Sequence, residues 1–384
     1  MLTLIGLELR QRMRGSGWLP LLIIWLLAIG GLTAGAYFIS QSNGQTMGAW
    51  LFSLILYFTL FLAAVVVPAL GGGSINGDRE SGVLTLVQTA PVSAATIVWA
   101  KAFAAWIASL VLVLVALPFL LFAAVIGNVG WIIVVPALVV LFLELAFFSA
   151  ISVAFSGIFS RAGAATAMSY LVIALLSVGS VFAFNIGSAL LTSERTVQVN
   201  THVTASSQQS GSAADGSNGQ PGADGEAGGD AQSQGEGASA DGTQPGEGTQ
   251  SRRCQVVSEQ RSYQRPDLVW PVLAANPFVI LADATPARFG HGDAGTAVGY
   301  PTNLLTTLKV ELRKAQHSAI PVETIEECEW SADAKTPEQQ MAGTQPVWFW
   351  GIAGQVVLSL ILLGWATSRT RAPYRNSAKG QRIG

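Results

Sequence analysis

Apolar residues run in long blocks along this chain instead of alternating with polar ones. No Asp, Glu, Lys or Arg occurs between Arg14 and Asp78, a gap of 63 residues. Gaps of 42, 32 and 30 residues separate Lys101 from Glu144, Arg161 from Glu194 and Glu338 from Arg369. A run of about 20 apolar residues crosses the hydrocarbon core of a bilayer, and soluble cores rarely need longer ones. The pattern excludes a water-soluble enzyme. It predicts an all-α membrane protein with six transmembrane helices at about 18–39, 49–70, 102–126, 131–158, 164–185 and 347–367. Helices are expected because lipid leaves open backbone groups unsatisfied, and barrel strands would alternate apolar and polar residues. Trp18, Trp131, Trp348 and Trp350 fall at predicted ends, where indole prefers the headgroup zone. Pro68, Pro118 and Pro136 fall inside spans or near their ends and are expected to mark kinks or ends.

Composition agrees, with 51% hydrophobic and 11% charged residues. Charge then sets the expected orientation. Six spans put both termini on one side, and that side holds Arg10, Arg12, Arg14, Arg79, Lys101, Arg161, Arg369, Arg371, Arg375, Lys379 and Arg382. The short connections 40–48 and 127–130 on the other side carry no charge. Positive charge near spans stays cytoplasmic, so both termini and the 71–101 loop are predicted inside. The expected layout is an interfacial helix at 1–17, spans one and two within 18–70, the loop 71–101, spans three to five within 102–185, an external loop at 186–345, span six within 346–368 and a basic tail at 369–384.

The formal net charge of −2 is an average over two opposite regions. The 186–345 loop carries 10 basic and 19 acidic residues, a net of −9, and the rest of the chain carries +7. Residues 205–250 hold 12 Gly and 7 acidic residues and lack Leu, Ile, Val, Phe, Tyr, Trp, Met, Lys and Arg. Such a segment has no apolar surface to offset ordering entropy and is expected to be disordered. Residues 252–338 are expected to form a partly ordered cap, in which Leu304, Leu305, Leu308 and Leu312 share a helical face. Both cysteines, Cys254 and Cys328, lie in this loop, and thiols outside the cytoplasm tend to pair. A Cys254–Cys328 disulfide is expected, and no metal site, because the three histidines are not clustered with the cysteines.

Two segments on the inner side suit partner binding. At the N-terminus, Leu2, Ile5, Leu9 and Met13 recur at helical spacing among Glu8, Arg10, Arg12 and Arg14, which fits a helix lying on the inner leaflet. In the 71–101 loop, Gly71–Gly73 let the chain leave the second span and turn, and Asn76 or Asp78 suits a helix cap. Val83, Leu84 and Val87 then share a face, Pro91 ends the helix, and Ser93 suits the cap of a helix that continues into span three. The result is a short amphipathic helix at the membrane surface, with its charged Asp78–Glu80 end free to meet a partner.

The run Asp78-Arg79-Glu80-Ser81-Gly82, followed by Leu84, Leu86 and Thr89-Ala90-Pro91-Val92-Ser93, resembles the coupling loop of ABC-2 type ABC transporter permeases. Val83 stands where that family often has Thr, and Gln88 falls in a usually apolar run. Asn276-Pro277-Phe278 is weakly similar to family sequence. The resemblance implies a permease subunit of an exporter in the bacterial cytoplasmic membrane. It also implies a separate ABC ATPase subunit that carries the ATP and a second permease subunit, identical or different. Asp78, Arg79, Glu80, Ser81 and Gly82 are the implied coupling residues, set in a groove of the ATPase.

The chain has no G-x-x-x-x-G-K-[S/T] phosphate loop, so it is not expected to be an enzyme or to hold a cofactor itself. Membrane lipid is an expected partner, as is an envelope protein through the external loop; nucleic acid is not. Two alternatives remain at this level: an ABC-type complex that passes force or signal to the envelope without moving a substrate, and an ATP-independent transporter. Glu144 is the one ionisable residue deep in a span. It reads either as part of a translocation path or as a hydrogen-bonded group between helices.

Overall fold

The computed structural model describes residues 2–14, 17–42, 48–80, 93–203, 253–290, 300–301, 303–318, 325–326 and 336–370. The expectations for 205–250, for the apolar face at Val83, Leu84 and Val87, and for the tail beyond 370 lie outside these residues. The described chain is mostly helical and forms two compact units, Met1–Ser193 with Tyr263–Ala319 and Ala334–Gly384, and Glu194–Ser262 with Ile320–Asp333.

Six helices of the first unit are long and apolar enough to cross a membrane, which makes this a multi-pass membrane protein. They are Trp18–Ser42, Gly48–Gly71, Ala94–Ile126, Trp131–Ile158, a fifth built from Ala162–Ala174, Leu175–Gly179 and Ser180–Leu190, and Trp348–Thr370. Three of them start at an expected interfacial tryptophan, Trp18, Trp131 and Trp348. The third starts eight residues earlier than its apolar run suggests, because Ser93 caps it by accepting from the Thr96 amide. The fourth span is the hub and packs on the second, third, fifth and sixth. Its buried side chains, among them Leu141, Leu145, Phe148 and Ile151, form the centre of the core. Where the second and third spans close on each other, Gly48 and Gly127 meet backbone to backbone. A Cβ on Gly48 would lie 2.2 Å from the Gly127 Cα.

The segment expected to form a partly ordered external cap is in part an element of this bundle. Pro266–Ala275 and Pro277–Ala284 form two short helices bent by 98°, and Ile280, Leu281 and Ala282 are buried in the main core. Asn276 makes the elbow. Its Oδ1 accepts from the amides of Phe278 and Val279, and its Nδ2 donates to the Ser177 carbonyl at 2.6 Å and to Ser180 Oγ at 2.9 Å. Ser177 sits in the π turn Leu175–Gly179 of the fifth span. A π turn disturbs the regular helical hydrogen-bond ladder, and Asn276 supplies a donor there.

Asp283 anchors the other end of this segment. Its Oδ1 accepts from Nε and Nη2 of Arg313, both at 2.7 Å. Its Oδ2 accepts from the amides of Val347 at 2.6 Å and Trp348 at 3.0 Å, at the start of the sixth span. Lys309 donates to the carbonyls of Asp283 and Thr285, and burial draws its pKa below the ordinary value. Arg313 and Lys309 belong to the helix Leu304–Lys314, capped by Asn303. Its inner face is Leu305, Val310 and Leu312 with Thr306 and Arg313, whereas Leu308 is 41% exposed, so the expected face gives up Leu308 and takes in Arg313, the partner of Asp283.

The second unit departs from the all-α expectation. β1 (Thr192–Val203) lies between β2 (Arg253–Gln264) and β3 (Ile325–Glu326), with β1 and β3 parallel and Val199 opposite Ile325. Val197 and Val199 are buried two residues apart, the period of a strand. Cys254, at the start of β2, is disulfide-bonded; Cys328 lies outside the described residues.

Asp283→Ala leaves Arg313 buried without its carboxylate and the start of the sixth span without its acceptor. It is expected to cost about 3–5 kcal/mol. A thermal unfolding midpoint in detergent equal to wild type would refute this role.

Candidate functional site

The loop after the second span begins with four turn residues, Gly72 to Ile75, and one helical turn, Asn76–Glu80. The glycines serve close approach here, not unusual backbone angles, since among the described glycines only Gly343 has positive φ. A Cβ on Gly71 would meet Ser152 at 2.5 Å, and one on Gly72 would meet Thr166 at 2.1 Å. The turn therefore sits directly on the fourth and fifth spans. Ser156 of the fourth span holds it through Oγ, which accepts from the amides of Ile75 at 2.9 Å and Asn76 at 3.3 Å. Ile75 is fully buried. Asn76 is also fully buried, but among the described residues its Nδ2 and Oδ1 have no hydrogen-bond partner, so of the two expected caps, Asn76 and Asp78, the Asn76 side chain does not serve.

Asp78 is not a free charge. Its Oδ2 lies 2.8 Å from Nζ of Lys101. The same ammonium donates to Glu8 Oε2 at 3.0 Å. One cation thus joins three separate elements: the N-terminal helix Leu2–Arg14, the 76–80 turn and the third span. Side-chain exposure is 8% for Lys101, 18% for Glu8 and 31% for Asp78. The Lys101 charge is therefore largely removed from water, a cost that its two carboxylates offset. The N-terminal helix packs on the third span with Leu4, Ile5, Glu8 and Leu9 half-buried, so Glu8 lies on the packed face. Arg79 and Glu80 continue the helical turn next to Asp78, and Ser81 and Gly82 lie outside the described residues.

Glu144 lies at the middle of the fourth span and is fully buried. Its Oε2 accepts from Nε2 of Gln355 in the sixth span at 3.1 Å, and its Oε1 has no hydrogen-bond partner among the described residues. Gln355 in turn faces a groove of about 200 Å³ between the third, fourth and sixth spans, walled by Trp99, Phe103, Trp106, Phe147 and Leu363. Glu144 therefore stands behind the groove and holds its polar side chain, and is itself enclosed between helices. The groove is apolar apart from Gln355 and Ser359, which suits hydrocarbon or another apolar surface.

Among the described residues no group of three or more His, Cys, Asp or Glu is arranged to hold a metal ion. The residues that sequence reading did not single out are Gln355 and Lys101 in its bridging role. Both act through partners far away in the chain, and the local signal near Lys101 was the helix that Ser93 opens ahead of residue 102.

Gln355→Leu removes the one donor seen on Glu144 and is expected to lower stability by about 1–3 kcal/mol. Glu144→Gln, which keeps an acceptor oxygen, is expected to stay within about 1 kcal/mol of wild type. Unfolding midpoints in detergent decide this, and equal midpoints for Gln355→Leu and wild type would count against the pair.

No protein-family model matches the chain, and none of the curated proteins does.

Proposed function

We propose that this chain is the membrane-spanning subunit of an ABC-2 type transporter, an exporter driven by a separate ATPase subunit and paired with a second permease subunit. The observation that carries this reading is the Asp78–Ser93 sequence pattern, in the connection between the second and third of six membrane-spanning helices. Its first residues rest on the fourth and fifth spans and are joined to the third through Lys101, so a push on this loop reaches several helices at once. In this reading both termini and the loop face the cytoplasm of a bacterial cell. The loop seats in a groove of the ATPase in a helix-in-groove mode. Asp78 stabilises the base of the loop from within, and Arg79, Glu80, Ser81 and Gly82 meet the partner. Glu144 acts by holding Gln355 at the wall of the translocation path.

A second reading, a complex that transmits force or signal to the cell envelope, draws support from the separate β-sheet unit with its disulfide-bonded Cys254. The first reading is favoured because the coupling pattern accounts for a specific run of residues.

Glu80→Lys is expected to reduce co-purification with a phosphate-loop ATPase at least ten-fold while leaving the yield of the chain itself unchanged, an effect of about 1.4 kcal/mol or more. Wild-type recovery of the complex with Glu80→Lys would count against the coupling role.

A further inference from the structure

Lys101 is placed in an unusual way for a basic residue beside a span. Positive side chains near membranes ordinarily reach for water or lipid headgroups. This one is nearly buried and points its Nζ between carboxylates from two separate elements, Glu8 at 3.0 Å and Asp78 at 2.8 Å. The backbone around it is a stable base: it belongs to the helix Ala94–Ile126, with Ser93 capping the start. The two partners belong to weaker elements, a 13-residue helix whose outer face is open and a five-residue turn.

The turn also has a reason to leave its seat. Asn76 is buried there with both polar atoms of its amide unpaired, and a buried amide without partners disfavours the arrangement that encloses it. Ser156 and the Asp78–Lys101 pair oppose this. The buried Ile75 side chain holds the turn as well, so its seat combines favourable contacts with one unfavourable burial, as suits an element with two arrangements.

We propose that Lys101 is a positioning residue that makes the N-terminal helix and the 76–80 turn move as one body: a displacement of the turn is passed through this shared ammonium to the helix. This rests on the coupling role proposed above only for the source of the push; the latch itself is a property of this chain.

The test is hydrogen–deuterium exchange on the full chain in lipid nanodiscs, read at amides of residues 2–14, 75–80 and the middle of the fourth span. Glu8→Gln is expected to speed exchange at least ten-fold in 2–14 alone, Asp78→Asn in 75–80 alone, and Lys101→Met in both, with the fourth span unchanged. Lys101→Arg, which keeps the charge, is expected to retain most of the protection. The proposal is overturned if Lys101→Met leaves 2–14 at the wild-type rate. It is equally overturned if each carboxylate variant loosens both segments and the fourth span alike, since that is general destabilisation. The complex with the ATPase supplies a second arm. A non-hydrolysable ATP analogue is expected to change exchange in both segments of the wild type and only in 75–80 of Lys101→Met. If the helix still responds in Lys101→Met, the latch is wrong although the coupling reading stands. If the analogue changes neither segment in the wild type, the coupling reading fails, and the first arm still decides the latch.

Discussion

Hydrocarbon offers no hydrogen bonds, and an unpaired backbone group there costs several kcal/mol. Much of this structure follows from that constraint. Regular helix settles most of the chain, and the places where helix fails are those where a side chain intervenes. The π turn of the fifth span receives a donor from Asn276. The amides that follow the second span find Ser156 Oγ. The amides that open the sixth span find Asp283, whose remaining oxygen is held by Arg313. Each of these side chains comes from a different part of the chain, so satisfying the backbone also ties the bundle together.

The same constraint separates what the sequence made legible from what it did not. Span positions were legible because charge is so costly in lipid that its absence over 30 or more residues leaves few other readings. The Ser93 cap was legible because capping is local. The pairs Asp283–Arg313, Glu144–Gln355 and Lys101–Glu8 were not, because each joins residues from 30 to 211 positions apart and leaves no periodic trace. The 266–284 elbow was legible only as part of a partly ordered cap, because its prolines break the apolar run into pieces too short to resemble a span. The Leu304–Lys314 helix was legible, but not its buried face at Leu308, since the pairing that buries Arg313 is with a residue 30 positions away.

Charge placement gives the two ends of the bundle different characters. At the Lys101 end, one ammonium is shared by three elements, two of them short. At the Asp283 end, an anion gathers Arg313 and two backbone amides around the start of a span, with the Lys309 ammonium on neighbouring carbonyls. The first arrangement leaves a small element able to shift, and the second fixes one. Between them the Glu144–Gln355 pair places an amide at the edge of a groove that is otherwise apolar but for Ser359. The proposed coupling role, a push at one end of a bundle held at the other, draws support from this distribution.

The account stands on the loop after the second span facing the cytoplasm. The direct measurement is labelling of single cysteines with a membrane-impermeant maleimide in intact and permeabilised cells, with the native cysteines replaced. A cysteine at Ser81 is predicted to react only after permeabilisation, and one at Glu259 to react in intact cells. Labelling of the Ser81 position in intact cells would place the loop outside and contradict the coupling role.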